Sequence, residues 1–106
     1  MHTSYNLFID DIRYPKNGND IIARNSTEAI DIITSRGMPQ RISFDHDLGG
    51  DDTSMVFIRW LTDYLLDHPT SLPTDFSYDI HSANPVGAEN IRGKMDGLLS
   101  HLRKTP

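Results

Sequence analysis

The sequence predicts an α/β protein with a four-stranded, mainly parallel sheet and helices on both faces, a three-layer arrangement. Three observations predict this class. Short apolar runs alternate with stretches of helical periodicity, which is the order of strand–helix units in a parallel sheet. Clusters of Asn, Gly and Pro separate these segments. The 106 residues contain no internal repeat, low-complexity segment or linker, so they predict one domain, 1–106, with one modest core.

Four segments have the composition of short buried strands, and each is followed by polar residues. They are Tyr5–Ile9, Ile21–Arg24, Arg41–Phe44 and Phe76–Ile80. The second carries the weakest strand signal. In a parallel sheet the carboxyl ends of all four lie along one edge, where ligands bind in this class of fold.

The first two helices are predicted from their termini and their apolar spacing. Asn25 is a typical N-cap, and Gly37 ends the helix that follows it. The second helix spans about residues 53–67. Asp51 and Asp52 precede it, where the helix dipole stabilises negative charge, so they are interpreted as its caps.

The third helix opens at Asn84-Pro85, with Asn as the cap and Pro in the first turn. Helical spacing predicts its buried stripe, which consists of Ala88, Ile91, Met95, Leu98 and Leu102. Gly93 and Gly97 each weaken a helix by about 1 kcal/mol relative to Ala. Close packing against a neighbouring element is therefore expected at these two glycines.

Composition excludes several classes of function. There is no cysteine, so disulfides, thiolate metal sites and cysteine nucleophiles are absent, and a cytoplasmic location is expected. No apolar run approaches the roughly 18 residues that a membrane helix needs, so no membrane partner is expected. The net charge of -5 disfavours broad binding to duplex nucleic acid, which requires neutralised phosphates, but it permits contact with one phosphate or one RNA end.

Acidic residues concentrate where two predicted strands end. Asp10 and Asp11 follow the first strand, and Asp45 and Asp47 follow the third. Carboxylates that converge at one sheet edge repel one another, and a hard divalent cation relieves this repulsion. The sequence therefore predicts a Mg²⁺ or Mn²⁺ site formed by these four residues. The alternative is that each Asp caps the turn that follows it or pairs with a nearby arginine.

Two histidines lie at the same predicted edge. His46 stands between two aspartates, and His81 follows the fourth strand. A neighbouring carboxylate can fix the tautomer of a histidine, which suits a general acid or base. We therefore predict Asp45, His46 and His81 as catalytic residues. The alternative is that either histidine is a polar edge residue without a chemical role.

The start of the last helix has the features of an anion site. A helix N-terminus offers free backbone N–H groups and partial positive charge. Ser82 and Asn84 add side-chain donors there, and Gly87 would let a ligand approach the backbone closely. Arg13 and Arg92 are further candidates for binding phosphate. The alternatives are plain capping by Asn84 and ordinary surface salt bridges of the two arginines.

Three stretches, LFIDDIRYP, ISFDHDLGG and IHSANPVGAENIR, resemble the cyclic-phosphate-processing receiver-like domain, a compact family of phages and bacteria. The resemblance spans most of the chain. It implies a truncated receiver fold with sheet order 2-1-3-4. It also implies a role in handling cyclic phosphate ends, such as RNA 2′,3′-cyclic phosphates. Its motif residues here are Asp10, Asp11, Asp45, His46, Asp47, His81, Ser82, Asn84 and Gly87.

The resemblance to an ordinary two-component receiver is weaker. The aspartates and Ser82 stand where a receiver has its metal pair, its phosphoacceptor and its phosphoryl-contacting residue. However, residues 11–21 are too few for the usual first helix, and no fifth strand that would supply the receiver lysine is expected within the given residues. His46 and His81 are not receiver features.

Two classes of function stay open at this point. The first is a metal-dependent phosphoesterase that opens a cyclic phosphate on a nucleotide or an RNA end, with His46 and His81 as acid and base in either order. Chemical variants are a nucleophilic Asp45 and a metal-free reaction of the two histidines. The second is a non-catalytic receiver-like regulatory module or a cyclic-nucleotide-binding protein, such as a phage counter-defence protein.

Overall fold

The computed structural model describes residues 4–16 and 18–104. Its strands are β1 (Asn6–Ile9), β2 (Ile21–Ala23), β3 (Arg41–Phe44) and β4 (Ser77–Ile80), and its α-helices are α1 (Ser26–Arg36), α2 (Ser54–Asp67) and α3 (Pro85–Lys104). A short 3₁₀ turn, Pro69–Ser71, follows α2. All four strands are parallel, in the order β2-β1-β3-β4. The predicted α/β class and the predicted sheet order are confirmed.

The ladder of backbone hydrogen bonds continues past the ends of the strands. The N–H of Asp45 donates to the carbonyl of Ile9 (2.9 Å), and the N–H of His81 donates to the carbonyl of Phe44 (2.8 Å). The loops that begin at Asp10, Asp45 and His81 therefore leave the sheet at the same level. The first residues of these loops therefore lie side by side, and they form the candidate site.

The hydrophobic core lies on one face of the sheet. Alternate strand residues supply its sheet side, chiefly Leu7, Ile9, Ile42 and Phe44. Helix α1 packs on α2, and α2 packs on α3, so the three helices form one layer. Their buried residues include Ala29, Ile33, Phe57, Leu61, Leu65, Ile91 and Met95.

The expectation of three layers is wrong, because the described chain forms two. Side chains on the opposite face of the sheet include Asn6, Phe8, Arg41, Ser43 and Asp79, and none of them belongs to the core cluster. No described helix covers that face. Residues that face the core alternate with residues that face away from it in three strands, NLFI, RISF and SYDI. This alternation is typical of a sheet that is buried on one side.

The helices begin at capping residues, with one correction to the prediction. Asn25 caps α1 and Thr53 caps α2 through side-chain oxygens. Asp51 and Asp52 were expected to cap α2. The carboxylate of Asp52 instead accepts a hydrogen bond from the N–H of Ser26 (2.8 Å) and so stabilises the first turn of α1. Asp51 is exposed.

Two further properties of the helices bear on the sequence predictions. The expectation of close packing at Gly93 and Gly97 is wrong, because a Cβ atom at either position would meet no atom within 4 Å. Both glycines lie on an open groove between α2 and α3. None of the helices in the described part of the chain is long and apolar enough to cross a membrane.

Candidate functional site

Three carboxylates meet at the carboxyl edge of the sheet. Asp10 and Asp11 follow β1, Asp45 follows β3, and each places one oxygen within 4.8 Å of the others. Asp10 and Asp45 are buried, and Asp11 is partly buried. We call these three residues the acidic cluster. The structure thus brings together three of the four carboxylates that the sequence assigned to a metal.

Asp10 makes the most hydrogen bonds in the acidic cluster. Its Oδ1 accepts hydrogen bonds from the backbone N–H groups of Ile12 (3.0 Å) and Arg13 (2.8 Å). Its Oδ2 lies 3.3 Å from Nε of Arg13 and 3.0 Å from Nε2 of His81. Burial favours a higher pKa, but these bonds and the Arg13 charge outweigh it and hold the pKa of Asp10 below its ordinary value of 3.8. Asp10 is therefore an ionised carboxylate with little acceptor capacity left.

Asp45 has the opposite electrostatic balance. Its Oδ1 accepts a hydrogen bond from the N–H of His46 (2.8 Å). Burial, with a further contribution from the charge of Asp10, nevertheless raises the pKa of Asp45 above its ordinary value of 3.8. Among the described residues, none donates a hydrogen bond to its other oxygen, Oδ2. Asp45 therefore keeps an acceptor that a ligand can use.

His81 is held on three sides. Its Nε2 lies 3.0 Å from Oδ2 of Asp10, and its Nδ1 lies 2.8 Å from Oγ of Ser43. Its ring stacks on Phe8, with centroids 4.5 Å apart and planes inclined by 2°. Because an ionised carboxylate can only accept, Nε2 carries a proton, and Nδ1 is hydrogen-bonded to the Ser43 hydroxyl. His81 thus presents a fixed N–H to the acidic cluster.

His46 belongs to a separate group of contacts. Its Nδ1 lies 3.1 Å from Oδ1 of Asp47. Its ring lies directly over Gly87, where an added Cβ atom would be 2.4 Å from Cγ of His46. The sequence indicated that Gly87 admits a ligand, whereas the structure places the His46 ring there. Among the described hydrogen bonds, none joins this ring to a carboxylate of the acidic cluster.

The donors predicted to bind an anion are bonded to one another. Oδ1 of Asn84 accepts from the N–H of Gly87 (3.0 Å), and Nδ2 of Asn84 donates to Asp47 at 3.4 Å. Oγ of Ser82 accepts from the N–H of Asn84 (3.0 Å). The side chain of Asp47 is 67% exposed, and this residue lies outside the acidic cluster. Together these residues cap α3 and bind the Asp47 carboxylate.

The two arginines predicted to bind phosphate have different surroundings. Arg13 contacts Asp10, and its Nη1 donates to the carbonyl of His81 (3.2 Å). Arg92 pairs with Glu89 (2.8 Å) on the exposed side of α3. The structure therefore brings Arg13 to the acidic cluster and leaves Arg92 on the helix surface.

Arg24 is a positioning residue that sequence reasoning missed. Its Nη1 donates to the carbonyl of Asp10 (3.0 Å) and to the carbonyl of Arg13 (2.6 Å). These bonds fix the backbone of the loop that carries the acidic pair. No local pattern indicates this role, because the contacts join residues that are more than ten positions apart.

Phe8 and Ser43 were also missed, although the sequence contained a signal for them. Each contacts the ring of His81. Phe8 stands two residues before Asp10, and Ser43 stands two residues before Asp45. Residues two apart on a strand share a face, so both belong to the surface on which the site is built.

Asp10→Asn and Asp45→Asn are expected to change stability in opposite directions at neutral pH in EDTA. The folded-state pKa of Asp10 is lowered, so its charge stabilises the fold above its unfolded-state pKa, and this contribution is lost as the pH falls. The folded-state pKa of Asp45 is raised. Its carboxyl group therefore contributes fully to the free energy of unfolding below its unfolded-state pKa, and this contribution is lost as the pH rises through its folded-state pKa. Urea denaturation should show that Asp10→Asn unfolds more easily than the wild type and Asp45→Asn less easily.

Acidic buffer supplies the control for this pair of variants, because both differences from the wild type should shrink when the carboxyl groups are protonated. Destabilisation of both variants at neutral pH would contradict the electrostatic assignment.

Gly87→Ala should lower the free energy of unfolding by about 1–3 kcal/mol, since the new methyl group overlaps the His46 ring. Gly93→Ala on the same helix has free space and should raise the free energy of unfolding by up to about 1 kcal/mol. Chemical denaturation of the two variants measures both changes. Equal stability of the two would show that His46 does not lie over Gly87.

One of the comparisons with known proteins identifies a family. Residues 5–97 match the protein-family model described as the cyclic-phosphate processing receiver domain. The matched range contains the acidic cluster, His81 and the start of α3. No curated protein and no solved structure matches the chain. Because the match covers most of the chain, the protein belongs to the family of cyclic-phosphate processing receiver domains.

Proposed function

We propose that this protein is a metal-dependent phosphoesterase that opens cyclic phosphates, either on nucleotides or at RNA 2′,3′-cyclic phosphate ends. The acidic cluster, with the Nε2 of His81 3.0 Å from one of its oxygens, is the observation that carries this proposal. Carboxylates that can hold a cation beside an oriented proton donor suit phosphoryl chemistry. The family description, which names cyclic-phosphate processing, supports the same substrate class.

The acidic cluster fits a hard divalent cation by its donor chemistry. All its donors are carboxylate oxygens, which Mg²⁺ and Mn²⁺ prefer. Repulsion from Asp10 contributes to the raised pKa of Asp45, and a cation would relieve it. Asp11 and Asp45 would supply the ligand oxygens, since Asp10 already faces four donor groups. When bound, the cation would withdraw charge from the phosphate oxygens.

Arg13 is the proposed phosphate-binding residue. Its guanidinium contacts Asp10 and donates to the carbonyl of His81, yet the side chain is half exposed. A guanidinium that is already fixed at two points loses little further entropy when its remaining N–H groups bind phosphate oxygens.

His81 is the proposed general acid. Its Nε2 proton lies at the acidic cluster. In the imidazolium form, His81 would give this proton to the ribose oxygen whose bond to phosphorus breaks as water adds, and the ring would be left neutral. The hydroxyl of Ser43 and the ring of Phe8 hold the orientation of the His81 ring. His46 is bonded to Asp47 and packed on Gly87, so we give it a positioning role. The proposed reaction therefore does not use His46 and His81 together as acid and base.

Turnover of nucleoside 2′,3′-cyclic phosphates tests this proposal. With Mn²⁺, phosphorus NMR should show the cyclic resonance replaced by that of a phosphate monoester, and EDTA should stop the conversion. His81→Ala and Asp45→Asn should each lower kcat by about 100-fold or more, because they remove the proton donor and a cation ligand. Arg92→Ala should leave the rate unchanged.

A receiver-like switch phosphorylated at Asp45 is the second candidate function. Oδ2 of Asp45 receives no hydrogen bond from a described residue, and it stands at the position of a receiver phosphoacceptor, which favours this candidate. Labelling of the wild type by acetyl phosphate, lost in Asp45→Asn and accompanied by no turnover of cyclic substrates, would replace the phosphoesterase proposal. Tight binding of cyclic nucleotides that stay unchanged would indicate a sequestering protein instead.

A further inference from the structure

A cavity of about 460 Å³ lies between the uncovered face of the sheet and the loop that joins β1 to β2. Phe8, Ser43 and Asp79 line it from the strands, and Tyr14 and Lys16 line it from the loop. Its volume falls in the range of small-molecule sites, about 300–1,000 Å³. We propose that this cavity binds the nucleobase of a nucleoside cyclic phosphate whose phosphate lies at the acidic cluster. The position of the phosphate rests on the proposed function.

The cavity is continuous with the candidate site. Arg13, Ser43 and His81 line it, and all three take part in the contacts around the acidic cluster. Ser43 lies two residues before Asp45, which is about 6.6 Å along the direction of β3, and the two side chains point to the same face. The ribose of a nucleotide can span this distance. A nucleotide whose phosphate lies at the sheet edge therefore places its base over the strand residues that line the cavity.

Tyr14 provides a surface on which a base can stack. Its side chain is 77% exposed and lies outside the hydrophobic core cluster. The guanidinium of Arg24 covers one face of its ring, 4.7 Å from the centroid. No other ring or guanidinium contact to Tyr14 occurs within the described ranges. An aromatic ring held in place by a cation but unused by the core is a typical platform for a base.

The polar lining also suits a nucleotide. Oδ2 of Asp79 pairs with Arg41 (2.7 Å), whereas its Oδ1 is buried and receives no hydrogen bond from any described residue. The Asp79 side chain is nevertheless 45% exposed, and a carboxylate oxygen can accept two hydrogen bonds, so Oδ2 can accept a further N–H from the edge of a base. In a protein of net charge -5, the cavity has three basic side chains against two acidic ones: Arg13, Lys16 and Arg41 against Asp20 and Asp79. This excess of basic side chains reduces the repulsion that the neighbouring acidic cluster exerts on a ligand that carries a phosphate.

Calorimetric titration in EDTA, where no turnover is expected, tests the cavity with three probes. They are 2′,3′-cyclic AMP, adenosine, and glycerol 1,2-cyclic phosphate, which has the cyclic phosphate but no base. Tyr14→Ala should weaken binding of the two base-containing probes by at least about fivefold and leave the third unchanged. Tyr14→Phe should restore binding, because it keeps the ring. Ile12→Ala is the matched control, since Ile12 is 74% exposed in the same loop and does not line the cavity.

The outcomes separate this inference from the proposed function. Adenosine binding that depends on Tyr14, in a protein that turns over no cyclic phosphate, supports the base site while the phosphoesterase proposal fails. Equal turnover of base-containing and base-free cyclic phosphates, insensitive to Tyr14→Ala, overturns the base site and leaves the phosphoesterase proposal standing. Failure of the wild type to bind either base-containing probe also overturns the base site.

Discussion

The parallel register of β1, β3 and β4 is the constraint on which the site depends. Because these strands end at one level, Asp10, Asp45 and His81 leave the sheet side by side although they are far apart in sequence. A shift of one residue in any strand would turn its side chains to the opposite face and disperse the group. The apolar residues just before them are buried in the core or packed against it, so the same packing that stabilises the sheet also fixes the site.

The acidic cluster is electrostatically asymmetric. Asp10 faces four donor groups, and they stabilise its charge despite burial. Asp45 receives one backbone hydrogen bond and is destabilised by burial and by the charge of Asp10. A buried carboxylate that receives a single hydrogen bond costs stability. Perturbed groups of this kind concentrate at functional sites, which is why the free oxygen of Asp45 is central to the proposed chemistry.

Local signals allowed much of the fold and part of the site to be predicted. Asn25 and Asn84 were identified as caps because capping depends on a few neighbouring residues, and the strand ends located the acidic pair. The two-layer arrangement was missed because the strands were interpreted as buried on both faces, although their alternation indicated otherwise. Two features required long-range contacts that no local pattern contains: the bond from Ser26 to Asp52, and the ring of His46 over Gly87.

The acidic cluster as a cation-binding site is the central claim, and a crystal structure grown with Mn²⁺ tests it most directly. The account predicts one anomalous peak at the sheet edge, within coordination distance of oxygens from Asp11 and Asp45, with His81 still bonded to Asp10. Crystals soaked to saturation that show no peak at this edge, or a peak bound only by surface residues, would contradict it.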